Sequence, residues 1–501
     1  MKTSSIEESC FRKRLRARSG RNQLDSSIPF EGRQMTERTL EADYVIVGSG
    51  AVAMAFADTL LTDTEASIVM VDRRHKPGGH WNDSYPFIRL HGPSINYGVN
   101  SRPLGTGRVD QVGLNKGLHE LAGGHEICAY FDQVMRQRFL PSGRVTYLPL
   151  SNYTDDGVVT SLATSERTLV KARKKTVDVT LADTRVPSTH PPSFSVVPGV
   201  RCVPPNALVQ LKEPCAGFVI IGAGKTSIDT VVWLLEQGID PQKITWIRPR
   251  DQWLLNRKCF QVSYDFFADT YGSLASELES GRDATSIDDL FARLEMACVL
   301  TRIDPRVKPT MYRCAVVSDA ELAQLRRVTK VIRKGHVKAI EADRIVLDQG
   351  EIPTSPQQNH VHCNADGFPR LPEQPIFQGN RIKVQYVRTC QPTFSGAFVA
   401  HVEATLSSDE EKNALCRPVQ IPVEPIDWLR TLLASSQNRA AWQKKPDILK
   451  WLYGARLDGF TAMFVRAEQE ARPEEKAIIE RYRQALKPGL AQIAKLLATA
   501  G

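Results

Sequence analysis

What this 501-residue chain lacks narrows it before any motif is read. Its ten cysteines stand apart, with no CxxC or CxxxxC spacing. A chain of this length buries a large core without covalent help, so no disulfide framework is expected, and a reducing compartment, the cytoplasm, is. No metal site is expected either. No apolar run reaches the ~20 residues that cross a bilayer. The nearest candidate, 44–61, is interrupted by two glycines and Asp58. Charge of one sign is also scarce. The net charge is +9, but residues 1–40 hold nine Lys/Arg against five Asp/Glu, which leaves +5 over the remaining 461 residues. That excess suits small anionic ligands and argues against nucleic acid. The segment "FRKRLRARSGRNQ" (11–23) is Arg-rich without an apolar core, which excludes a secretory signal. It reads as a disordered basic leader over 1–40, with a transit peptide or an extension before Met35 as open alternatives.

What is present is a pair of glycine turns. "DYVIVGSGAVAMAFAD" (43–58) reads as a buried strand, a turn at Gly48-Ser49-Gly50 and a helix admitted close to the strand by the small Ala53. "GFVIIGAGKTSIDTVVWLLEQG" (217–238) repeats the pattern with Gly222, Gly224 and the small Ser227. Its Gly-Lys-Thr (224–226) is not the end of a P-loop. Five positions earlier stands Val219, inside the apolar run, so the wide phosphate loop is missing. Both are strand–turn–helix units that aim a helix N-terminus at a pyrophosphate.

The two turns differ in the strand end downstream of each. After Gly48 an acid, Asp72, ends the next strand "SIVMVD", with Arg73 beside it. A carboxylate there accepts the hydroxyls of a free ribose, as in FAD or NAD. After Gly222 the corresponding stretch is "ITWIRPRD", with Arg248 and Arg250 and no acid before them. Guanidinium forks hold a 2′-phosphate, which points to NADPH, with Lys225 and Thr226 as further phosphate contacts. The expected fold class is α/β, with two Rossmann-like dinucleotide-binding domains, a small β-meander and a helical C-terminal region. The expected boundaries are 41–150 for the first part of the FAD domain and 151–210 for the meander. The NADPH domain covers 211–350 with a helical insertion at about 260–330, the FAD domain returns over 351–405, and the helical region is 406–501.

Just beyond Asp72 stands "RRHKPGGHW", with Gly78, Gly79, His80 and Trp81. A GGxW at this spacing, between two such turns, resembles the class B flavoprotein monooxygenases, which include flavin-containing monooxygenases and Baeyer–Villiger enzymes. The resemblance covers about 42–405. It implies FAD at Gly48, Ser49, Gly50, Ala53, Asp72, Arg73, Gly79, His80 and Trp81, closed by a late turn at "NADG" (Ala365, Asp366, Gly367). It implies NADPH at Gly222, Gly224, Lys225, Thr226, Ser227, Arg248 and Arg250. The implied activity is monooxygenation of a small organic substrate with O2 through a flavin C4a-peroxide. Two departures stand out. The Ala-Thr-Gly expected before the second turn is replaced by "VDVTLADTRVPSTHPPSF", and the long Baeyer–Villiger signature between the turns is not evident.

Candidates for the reacting centre come from "SYPFIRLHGPSINYGVNSR" (84–102): Arg89 for an anionic oxygen species or phosphate, Asn96 to orient nicotinamide or oxygen, and His91 to exchange protons. Each also has a plain reading as a loop hydrogen bond or surface charge. His190 and Cys363 read as structural. A dithiol reductase is disfavoured because no cysteine pair stands after Asp72 at short spacing. A flavin reductase or oxidase without oxygen insertion, and a non-catalytic binding module, remain as alternatives.

Overall fold

The computed structural model describes residues 38–180, 184–365, 370–371 and 373–500. The basic leader lies outside them, apart from its last three residues. Strand β1 (Arg38–Val47) leads through the first glycine turn into α1 (Ala51–Asp63) and on to β2 (Ile68–Val71). β1 and β2 are parallel, with Tyr44 opposite Ile68 and Val47 opposite Val71. Helix α1 is apolar nearly all round and is buried on most of its surface, as such a helix must be. Its one buried acid, Asp58, is held by Ser101 and Arg138.

Helix α2 (Gly124–Val134) and β3 (Val145–Leu148) come next, β3 extending the parallel sheet beside β2. The meander expected at 151–210 is partly present. Short strands at Ser151–Tyr153 and Val158–Ser161 lead antiparallel into the long β4 (Arg167–Asp178), which lies next to β1. Beyond it the chain is mostly irregular, to the short β5 (Cys202–Val203).

A second sheet begins there. β6 (Gly217–Ile221) passes through the second turn into α3 (Lys225–Glu236), and β7 (Ile244–Ile247) pairs parallel with β6. β8 (Gln252–Asn256) opens a separate three-stranded sheet, succeeded by α4 (Phe267–Asp283) and β9 (Met311–Val317). The insertion is therefore helical but interrupted by strand. β10 (Val331–Ile332) and β11 (Gln358–His362) complete the second sheet, in which all pairings are parallel and the order is β5, β11, β6, β7, β10.

That order corrects one expectation. The strand of "HVHCNADG" does not return to the first sheet; it pairs with β6, Ile221 opposite His362. The return is made later by β12 (Arg381–Lys383), parallel to β4. A five-residue strand that is mostly polar, QNHVH, carries no hydrophobic pattern to mark which sheet it joins. Helix α5 (Pro392–Thr405) then packs lengthwise on α1, so closely that a Cβ on Gly396 would lie 2.5 Å from the Val52 carbonyl oxygen. The C-terminal region is helical as expected and ends in α6 (Pro473–Ala500), which packs along α4.

Among the described residues no helix is long and apolar enough to cross a membrane, and no cluster of three or more His, Cys, Asp or Glu could hold a metal ion. The chain does contain one feature that the cysteine spacing did not announce: Cys314 and Cys390 are joined as a disulfide across 76 positions.

Candidate functional site

The first turn is built by backbone that only glycine accepts. Gly48 has φ +107, and its N–H donates to the Val71 carbonyl at 2.8 Å, locking the turn to β2. Gly50 caps α1 with no side-chain hydrogen bond to the helix N-terminus. The GGHW segment is folded directly onto this turn. The Gly78 N–H donates to the Ser49 carbonyl at 2.9 Å, and a Cβ on Gly79 (φ +59) would lie 2.9 Å from the Gly50 Cα. Two backbones thus touch where side chains would separate them.

Asp72 is buried at the same place. One carboxylate oxygen accepts from the Ser49 N–H at 2.5 Å and its hydroxyl at 2.8 Å; the other accepts from the Arg74 N–H at 2.7 Å. A carboxylate offers about four lone-pair sites, so acceptor capacity remains. Ala53 is fully buried, while Arg73 is exposed. Trp81 donates its indole N–H to the Tyr97 hydroxyl at 2.9 Å, and half-buried His80 stacks on Trp81. Burial, and after it the charge of Arg74, lowers the His80 pKa to about 4, so its ring is neutral near pH 7.

The second turn has the same plan with different fastenings. Gly222 has φ +136 and sits against Cys363, and its N–H donates to the Ile247 carbonyl at 3.0 Å. Its own carbonyl accepts from the Trp246 indole at 2.9 Å, and the next one, of Ala223, accepts from the Gln252 amide at 2.6 Å. Around Gly224 the space is open: a Cβ there would meet no atom within 4 Å. Ser227 is fully buried and its hydroxyl donates back to the Gly224 carbonyl at 2.7 Å.

Lys225 and Thr226 begin α3. The Lys225 ammonium pairs with Asp229 one turn on, and the Tyr85 hydroxyl donates to the same carboxylate at 2.7 Å. Burial raises the Asp229 pKa, against the pull of Lys225 and Tyr85.

The arginines at the end of β7 are placed differently from expectation. Arg248 does not stand free as a fork; it is 2% exposed, its guanidinium lies 4.8 Å from the Trp246 ring centroid and donates to Asp251 at 2.5 Å. Arg333 binds the same carboxylate at 2.8 Å. Burial lowers the Arg248 pKa to about 10. Its Nε and Nη1 are buried without a hydrogen-bond partner. Arg250 is half-buried two residues on.

The three candidates from the 84–102 loop do not converge. Arg89 is exposed and its charge acts on Glu236, at the end of α3 remote from the glycine turn. Asn96 donates to the Val262 carbonyl at 3.2 Å, while its Oδ1 is buried without a partner. His91 lies among Lys225 and Arg257, and burial, then those two charges, lowers its pKa well below the ordinary value. In the late turn, Ala365 is exposed, and Asp366 and Gly367 lie outside the described residues. His190 is exposed; Cys363 is buried, and burial lifts its thiol to about 12.

Several residues that hold this region together carry no local sequence signal. Fully buried Arg257 donates to the His91 carbonyl at 3.1 Å, to Asn115 at 3.2 Å and to Glu321 at 2.7 Å. Arg456, from the helical C-terminal region, donates to the carbonyls of Ile95, Tyr97, Val99 and Arg102. Arg388 pairs with Asp458 at 2.5 Å. Each partner lies far along the chain, so only the fold reveals them.

A mixed sheet and a parallel sheet, each with a glycine turn at the carboxyl end of a strand, and a GGxW segment pressed on the first turn make an α/β fold like that of the class B flavoprotein monooxygenases. The polycyclic ketone monooxygenase of the thermophilic fungus Thermothelomyces thermophila has this fold: it aligns at TM-score 0.51 with 12% identity, covering 91% of this chain and 90% of its own. No family model matches the chain. In sequence the chain is 45% identical over 463 residues to an uncharacterised protein of Mycobacterium tuberculosis, covering 92% of this chain and 86% of the relative, and equally to one of Mycobacterium bovis. The chain belongs to one family with these mycobacterial proteins.

Proposed function

We propose that this chain is an FAD- and NADPH-dependent oxidoreductase of the monooxygenase type, acting on a small organic substrate with O2. One observation carries the reading: two uncapped helix N-termini stand behind glycine turns, one beside a buried carboxylate and the other near arginines. On this reading residues 38–178 with 377–405 form the FAD domain, and 202–362 the NADPH domain with its insertion.

The residues present fit the two groups. At the first turn, the touching backbones of Gly50 and Gly79 leave a cradle that side chains would fill, and Asp72 keeps acceptor capacity for ribose hydroxyls. Ser49, Gly50 and Ala53 would admit the pyrophosphate to the N-terminus of α1, with Trp81 and neutral His80 packing beside the flavin. At the second turn, the open space over Gly224 admits a pyrophosphate, and Lys225, Thr226 and Ser227 start the helix that faces it. The two orphaned donors of Arg248, with Arg250 nearby, fit an anionic 2′-phosphate.

When bound, the flavin supplies hydride and oxygen chemistry that no side chain can. The chain supplies orientation and proton control. The Asn96 Oδ1 offers an acceptor to a carboxamide N–H. His91, held neutral by burial and two neighbouring cations, is a weak base, suited to a hydrogen bond rather than to taking up a proton. Arg257 and Arg456 fix the loop that carries both. No role is proposed for Arg89.

A stopped-flow absorbance experiment tests this. The purified protein, supplied with FAD, is reduced with NADPH or NADH and then mixed with oxygenated buffer. A yellow protein bleached faster by NADPH, with an oxygen-dependent intermediate absorbing at shorter wavelength than oxidised flavin, is expected. Failure to retain FAD overturns the reading; direct reoxidation with release of peroxide replaces monooxygenase with oxidase or reductase.

A further inference from the structure

Cys314 and Cys390 belong to segments far apart in sequence. Cys314 lies in β9, and Cys390 precedes the start of α5 by two residues. Their Cα atoms are 6.6 Å apart, and the two are joined as a disulfide. Both are half-buried, and both have left-handed backbone, φ +52 and +53. Side-chain-bearing residues avoid that region unless their surroundings hold them there. Four of the other cysteines, Cys128, Cys259, Cys363 and Cys416, are buried thiols whose pKa burial raises. Such thiols stay protonated and inert.

The bond ties together two parts of the nucleotide region. On one side, the strand that holds Cys314 pairs with β8, whose Gln252 amide donates to the Ala223 carbonyl of the second turn at 2.6 Å. On the other side, Cys390 stands two residues after Arg388, whose guanidinium sits 3.7 Å from the Phe394 ring centroid in α5. One turn along α5, Gly396 rests on Val52, two residues past Gly50. The disulfide therefore links the surroundings of the second turn to the helix packed behind the first.

We propose that Cys314–Cys390 is a thiol–disulfide exchange site for low-molecular-weight thiols, and that opening it releases the tie between the two nucleotide turns. A small thiolate attacks one half-buried sulfur; the S–S bond breaks, a mixed disulfide forms, and the other cysteine leaves as thiolate and takes a proton. A second small thiolate displaces the first cysteine, which is protonated in turn. The balance is two small thiols oxidised to one small disulfide, and one protein disulfide reduced to two thiols. Freed from each other, the two left-handed positions relax separately. The proposal stands whether or not the turns hold FAD and NADPH.

The test uses the full chain equilibrated in glutathione buffers of stepped redox poise. Thiols are counted in denaturant, the 314–390 cross-link is mapped by peptide mass, and hydrogen exchange is tracked over 385–396 and 48–56. We expect two thiols per chain gained on reduction, loss of that step in C314S and in C390S, and faster exchange in both segments. Wild type that is reduced and then alkylated should match the serine variants, which covers a variant that fails to fold. Two free thiols in excess oxidised glutathione, or a cross-link that survives excess reduced glutathione, overturns the exchange site. Unchanged hydrogen exchange on reduction overturns the tie.

Discussion

Replacing Gly79 with alanine addresses the contact on which the first site depends. Gly79 sits at φ +59, where an L-residue costs roughly 1–2 kcal/mol more than glycine. The new Cβ would lie 2.9 Å from the Gly50 Cα, against 3.4–4 Å for ordinary contact. The neighbour is backbone and cannot rotate away; Gly50 moves only by shifting the start of α1. Overpacking of this kind costs about 1–3 kcal/mol. Much of the strain is relieved in the free protein if GGHW lifts off the turn, but on the proposed reading FAD needs the turn closed. We therefore expect FAD binding to weaken by about 2–3 kcal/mol, a rise in the dissociation constant of roughly 30- to 140-fold. Titration of FAD by fluorescence quenching reads this, with thermal melts of the FAD-free protein alongside. Gly224→Ala is the control: φ there is −85 and nothing lies within 4 Å, so the fold should be unaffected while NADPH binding weakens. A Gly79→Ala protein that binds FAD within about twofold of wild type would refute the cradle.

Packing and burial set three other outcomes. Glu277 is buried on α4, and burial raises its pKa to about 7, so its contribution to stability is full below the unfolded value near 4.5 and is lost as pH rises through about 7. Glu277→Gln should raise the melting temperature at pH 8 and give little gain at pH 5; a pH-independent difference contradicts the assignment. His80 has its pKa lowered to about 4, so the unfolded chain binds the extra proton first, and stability falls as pH drops from about 6.5 to about 4. His80→Gln should flatten that part of the melting profile relative to wild type. Gly489 lies in α6 where an added Cβ would overlap the Leu278 carbonyl oxygen of α4, so Gly489→Ala should lose about 1–3 kcal/mol despite the helix propensity of alanine. A higher melting temperature would show that the two helices separate freely there.

The readable parts of this molecule were those whose physics is local. A strand, a glycine at positive φ and a helix are consecutive in the chain, so Gly48 and Gly222 with their α1 and α3 stood in the sequence as they stand in the fold. Asp72 was legible because a βαβ unit has a near-constant length. The strand Gln358–His362 was not, because five residues with Val361 as their one apolar side chain carry no pattern that chooses a neighbouring strand. That choice went to β6 through parallel pairing across about 140 positions. The Cys314–Cys390 pair failed for the same reason: spacing rules describe cysteines that are near in sequence, and these are 76 apart.

Arg248 shows the limit in its sharpest form. Its position at the end of β7 could be read from spacing, but the direction of its side chain depends on Asp251, three residues on, and on Arg333, which the fold brings to the same carboxylate. In sequence Asp251 is an ordinary loop acid just past the arginine pair. Its burial makes it a counter-ion, since a buried guanidinium needs one. The match is incomplete, with Nε and Nη1 left without partners inside the protein. Arg333 also pairs with Asp304 at 3.2 Å, so the two guanidiniums are matched by two carboxylates, and what an anion arriving there gains is the two free donors of Arg248. A free surface fork would attract phosphate with no cost for leaving it unbound. The buried arrangement carries that cost in the empty state, so on the proposed reading a preference for a phosphorylated ribose over a plain one would gain from relieving it.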